Sequence, residues 1–61
     1  MIDLQDYTSF VVTGFYYNTK RRFRQVHTNG RQALGINLWN GRVWGIRKDN
    51  GKRQCIKRVV N

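Results

Sequence analysis

Trp39 and Trp44 stand on either side of an Asn-Gly pair in the stretch LWNGRVWG (residues 38–45), with Arg42 between them. Flat indoles beside a guanidinium suit recognition of something planar and anionic. Cations neutralise phosphates and release counterions, and an exposed ring stacks on a base for about 1–3 kcal/mol. The same residues have plainer uses: tryptophans fill the cores of small domains, and Arg42 lying over Trp39 as a cation–π pair would occupy one ring without any ligand. The face each residue occupies decides between these uses.

Reactive chemistry is poorly supplied. The side chains on offer are His27, Cys55 and three acids, Asp3, Asp6 and Asp49, with no glutamate. General acid–base or nucleophilic catalysis needs such groups held together and oriented, and His27 and Cys55 fall on opposite faces in the register below. One cysteine and one histidine are too few for a zinc site or an internal disulfide. The glycines are single turn or strand residues and form no phosphate-cradling loop. No enzyme activity, metal or cofactor is expected.

Binding chemistry is abundant. Twelve Lys and Arg oppose three acids, for a net charge of +9 in 61 residues. Self-repulsion on that scale is relieved by a polyanion or an acidic surface. The run Lys20-Arg21-Arg22-Phe23-Arg24 has the composition of a phosphate-binding or nuclear-localisation patch, and equally of a solvated strand end.

The elements that position these side chains follow from three Asn-Gly pairs, at 29–30, 40–41 and 50–51, with no proline anywhere in the chain. Asn-Gly suits the two positive-φ positions of a type I′ turn and is the strongest short hairpin signal. The spacing predicts one small all-β domain over residues 1–61, an antiparallel meander of four to five strands, open or half-barrel. Residues 1–6 read as a turn or frayed end, 2–12 could hold one short helix, and 7–17 is a first strand or a cover over the sheet, with Gly14 as a bulge. Four strands follow at 20–28, 31–39, 42–49 and 52–60. Such a chain buries only about 60% of its unfolded surface, so a single modest core is all it can build.

Two-residue loops set Thr28 opposite Arg31, Trp39 opposite Arg42 and Asp49 opposite Lys52. Alternation then collects Phe23, Leu34, Ile36, Leu38, Val43, Ile56 and Val60 on a core face, beside Arg21, Arg47, Lys52 and Arg58. Gly45 lies on that face too. The other face gathers both tryptophans, Val26, Ala33, Gly35, Ile46, Cys55 and Val59 with the remaining cations. The expected contact set is Lys20, Arg22, Arg24, Arg31, Trp39, Arg42, Trp44, Lys48, Arg53 and Lys57. A bulge in 20–28 or 52–60 would flip part of this assignment.

Two functional expectations use that face. The first is nucleic-acid binding, with cations on phosphates and tryptophans on bases, favouring single-stranded DNA or RNA over a duplex whose bases are already stacked. Oligonucleotide-binding barrels and cold-shock domains share this design in architecture only. The alternative is a basic regulator or inhibitor docking on an acidic protein, such as a viral protein acting on a host nucleic-acid enzyme, with Trp and Arg as interface hot spots. Residues 1–6 carry no basic leader or apolar run, and no stretch is long enough to span a membrane. The location expected is cytoplasmic, nuclear or host intracellular rather than secreted, with no membrane partner. Cations along 52–60 discourage pairing of that edge with a copy of itself, so a monomer is expected, with a dimer as the alternative.

Overall fold

β-Branched and aromatic residues fill the segment after Asp6, and it becomes the inside of a sheet rather than its cover. In the computed structural model, which describes residues 3–16, 21–36 and 38–60, β1 (Tyr7–Tyr16) lies between β2 (Arg22–His27) and β3 (Leu38–Arg47), and β4 (Arg53–Val59) pairs with the far side of β3. The order is β2-β1-β3-β4, every pairing is antiparallel, and the sheet is open rather than closed into a barrel. The mostly-β antiparallel class is as expected. Ahead of β1, Leu4–Asp6 makes one 3-10 turn, started by Asp3, whose carboxylate accepts the Gln5 N–H at 2.9 Å.

Two of the three Asn-Gly pairs do something other than close a hairpin. Asn29 accepts the N–H groups of Arg31 and Gln32 on its side-chain oxygen, at 2.9 and 3.4 Å, and so caps a single turn of helix, α1 (Gly30–Leu34). Asn is as good an N-cap as it is a turn former, and here the topology chooses. β2 and β3 are both antiparallel to β1 and therefore parallel to each other, and parallel strands need a crossover, usually helical, rather than a tight turn. The predicted strand 31–39 is accordingly replaced by α1 and the start of β3. Gly30 has no side chain because a Cβ there would stand 2.7 Å from the Phe10 ring. Gly35, expected inside a strand, caps the helix end, its N–H donating to the Arg31 carbonyl at 3.0 Å.

Asn40-Gly41 runs straight through the middle of β3, with Gly41 directly opposite Gly14 of β1. Gly14 is therefore in register and not bulged; the irregularities of this pairing lie at Tyr7/Ser9 and Phe15/Tyr16. Asn50-Gly51 does turn the chain, though in a longer loop. Arg47, not Asp49, faces Lys52, its N–H donating to the Lys52 carbonyl at 3.0 Å, and Gly51 closes the loop at φ 69°.

The core lies between one sheet face and α1. Tyr7, Phe10, Val12, Ala33, Leu38 and Val43 form it, with Leu4, Phe23, Leu34, Ile36, Ile56 and Val59 packed around. The two inner strands supply most of these residues because only they have neighbours on both sides. Val12 and Val43 face each other and are fully buried. The Tyr7 ring covers Gly45, on the core side as expected.

Most of the predicted core is in place, with two differences. Ala33, expected on the basic face, is the buried residue of α1 that joins the core, whereas Val60 is 65% exposed and Val59 packs inward in its stead. A bulge causes the second. Val43 faces Lys57 but Trp44 faces Cys55, which leaves Ile56 as an extra residue in β4. One extra residue reverses the alternation beyond it.

Candidate functional site

The face of the sheet away from α1 can be built row by row from the register. Arg22, Phe15 and Asn40 form one row across β2, β1 and β3. Next come Arg24, Thr13, Arg42 and Arg58, then Val26, Val11, Trp44 and Cys55, then Ser9, Ile46 and Arg53. Thr13, Val11 and Ser9 of β1 thus form a low middle line with Phe15 at its end, and long cationic side chains rise from the strands beside it. None of the three acids of the chain falls within a strand, so this face carries arginine without carboxylate.

Trp44 organises its middle. The half-buried indole donates its Nε1–H to Thr13 Oγ1 at 3.3 Å. Two guanidinium carbons approach its ring, Arg53 at 5.0 Å and Arg42 at 5.7 Å from the centroid, within the range of cation–π attraction. Arg42 reaches Trp44 from two residues back on the same strand, and Arg53 from the adjacent strand. The expected partner of Arg42 was Trp39. Because β3 does not turn at Asn40-Gly41, Trp39 and Arg42 are not opposite each other, and Trp44 is the neighbour on Arg42's own face. Trp39 lies at the Phe15/Tyr16 irregularity near the start of β3 and is 40% exposed.

Of the ten expected contact residues, Arg22, Arg24, Arg42, Trp44 and Arg53 share this face. Arg31 sits on α1 and Lys48 in the β3–β4 loop, both outside the sheet, and Lys20 lies outside the described residues. Lys57 has moved to the core side, where its Nζ donates to the Leu34 carbonyl at 2.9 Å and satisfies a helix-end acceptor. Arg58 takes its place opposite Arg42. This exchange of Lys57 for Arg58 is the same bulge that exchanges Val59 and Val60. Thr13, Phe15 and Arg58 share this face too and are absent from the contact set expected from the sequence. Thr13 and Phe15 alternate correctly for one face, a signal usable only once β1 is known to be inside the sheet.

The rows of Phe15 and Thr13 bound an open groove of about 610 Å3, walled by Arg22 and Arg24 on β2 and by Arg42 on β3. Its floor is backbone, because Gly14, Gly41 and Phe23 belong to the core-side register.

The remaining charged chemistry is at the other end of the molecule. Arg47 grips Asp49 through two bonds, Nε to Oδ1 at 3.0 Å and Nη2 to Oδ2 at 3.1 Å. That hydrogen-bonded guanidinium holds the Asp49 carboxyl below its usual range, and Asp49 in turn raises Arg47. His27 lies within 3.1 Å of Gln25 on the core side, while Cys55 is exposed on the open face. Among the described residues no three His, Cys, Asp or Glu gather to hold a metal, and no helix is long and apolar enough to cross a membrane.

No family model matches the chain, and neither a curated protein nor a solved structure does.

Proposed function

We propose that the chain binds nucleic acid through the open face of its sheet, with arginines on phosphates and single strands preferred to duplex. The observation that carries the reading is the set Arg22, Arg24, Arg42, Arg53 and Arg58 on one sheet face free of carboxylates. Guanidinium is the cation best matched to phosphate, because its planar fork bonds two oxygens at once. Trp44 supports the reading as a platform: with Arg42 and Arg53 over its ring, both arginines lose less freedom on meeting a phosphate. Trp39, the more exposed indole, is then the tryptophan suited to stacking on a base. An acidic protein surface would be met by the same cations, so the test must separate the two partners.

Titrating the protein with a single-stranded oligonucleotide and then a duplex, at about 50 and 200 mM salt, does so. Engagement of about five phosphates weakens binding by roughly 10²–10³ across that range, with quenching of tryptophan emission by the single strand. Absence of binding to either form at low salt would remove nucleic acid as the partner. Retention of one acidic protein by the chain after nuclease treatment would then identify the alternative.

A further inference from the structure

We infer that the groove between the Phe15 and Thr13 rows is a slot for one unpaired base, stacked on Phe15, with its flanking phosphates held by Arg22 and Arg24 on one wall and Arg42 on the other. The inference deepens the nucleic-acid reading and rests on it.

Three features carry it. The first is width. β2 and β3 stand on either side of β1, so their walls are about 10 Å apart at normal strand spacing. That gap admits one strand of nucleic acid and not a paired one. The second is the floor. Gly14 and Gly41 face each other across β1 and β3, in the core-side register, so no side chain rises from the bottom of the groove. A flat ring can therefore descend to the backbone. The third is composition. Phe15 is a partly exposed aromatic at one end of the slot, Arg22 is its direct neighbour on β2, and the row two residues away brings Arg24 and Arg42. Aromatic ring, backbone floor and cations on both rims form the combination that takes a base by its face and a backbone by its charge. Stacking of this kind tolerates any base, so the slot confers preference for single strands without a strict sequence.

The test compares a short oligothymidylate with a strand of the same length made entirely of abasic sites, which keeps the phosphates and removes the rings. Affinities of the unmodified protein are read at low salt by anisotropy of a terminal dye. The expected result is binding of both strands, with the abasic one weaker by about tenfold or more. Phe15→Leu, its fold checked by circular dichroism, should lose that factor on thymidylate and nothing on the abasic strand. A bromouracil-substituted strand, photo-crosslinked to the unmodified chain and mapped by mass spectrometry, should mark Phe15 and needs no variant at all. Equal affinity for the two strands overturns the slot and leaves phosphate binding in place. A base preference that survives Phe15→Leu, with crosslinks on Trp39 only, also overturns it and moves stacking to the sheet end. Failure of both strands to bind removes the nucleic-acid reading itself.

Discussion

Gly14 and Gly41 sit directly opposite each other on the two inner strands, and a Cβ on either would collide with the other strand's backbone, at the Asn40 carbonyl oxygen or at that of Thr13. Gly14 also adopts φ 138°, a region that side-chain-bearing residues rarely enter. The pair brings β1 and β3 unusually close beneath the groove. Gly14→Ala should therefore cost roughly 2–4 kcal/mol and lower the midpoint of a thermal melt by about 10 °C or more. A melt unchanged from the parent would mean that this close approach is not a constraint on the fold.

Trp44 is tied into the sheet by Thr13 as well as standing under Arg42 and Arg53 on the open face. Trp44→Ala should lose roughly 1–3 kcal/mol of stability through lost packing. It should also weaken single-strand binding, because Arg42 and Arg53 lose their platform. Thr13→Val isolates the hydrogen bond. It should cost about 1 kcal/mol and shift the tryptophan emission, with the arginines left intact. Chemical denaturation and an oligonucleotide titration on the same samples separate the two effects.

Replacing arginines one at a time by glutamine should distinguish the face from the rest of the surface. Each of Arg24, Arg42 and Arg58 should reduce the slope of log affinity against log salt by about one. Arg31→Gln on α1 and Lys48→Gln in the loop should leave the slope where it was. Equal effects from both groups would describe diffuse attraction to a net charge of +9 rather than a defined face.

The Arg47–Asp49 pair makes a small pH-dependent contribution. Asp49 has a folded-state pKa below its ordinary value, first because Arg47 hydrogen-bonds the carboxylate. Its contribution is therefore complete above the usual aspartate range and is lost as pH falls below about 4. Asp49 is exposed and Arg47 half-buried, and solvent screens the pair, so the effect is confined to the β3–β4 loop rather than the whole fold. Amide exchange at Asn50 and Gly51 should rise in acid relative to neighbouring strands after correction for intrinsic rates, and Asp49→Asn should show the raised level already at neutral pH.

Part of the fold and of the candidate site is legible in the sequence. The strand character of residues 42–47 and 53–59, the inward set Phe23, Leu38, Val43 and Ile56, and the outward set Arg22, Arg24, Arg42, Trp44 and Arg53 all follow from alternation, which is a local property. The Asn-Gly pairs misled because three different devices share one dipeptide. Asn29-Gly30 is a helix cap over Phe10, Asn40-Gly41 lets two strands approach, and Asn50-Gly51 turns the chain. Only long-range pairing of β1 with β3 separates these roles, and nothing next to Asn40 announces it. The bulge at Ile56 was equally silent, since no glycine or proline marks it, yet it exchanges Lys57 with Arg58 and Val59 with Val60.

The placement of the three acids has a consequence beyond the sheet. Asp3 and Asp6 precede β1, and the Lys48 N–H donates to the Asp6 carbonyl at 2.9 Å, which brings Asp49 to the same end. Phe15 and the arginine-walled groove lie near the far end of β1, about 27 Å away along the strand, in a molecule 36 Å long. The acids offset part of the charge of Arg47, Lys48 and Lys52 at that end, and none of them lies near the groove, so the net positive charge is weighted toward the groove end. In the field of any polyanion such a body experiences a torque before it touches. That torque would turn the groove end toward the polyanion.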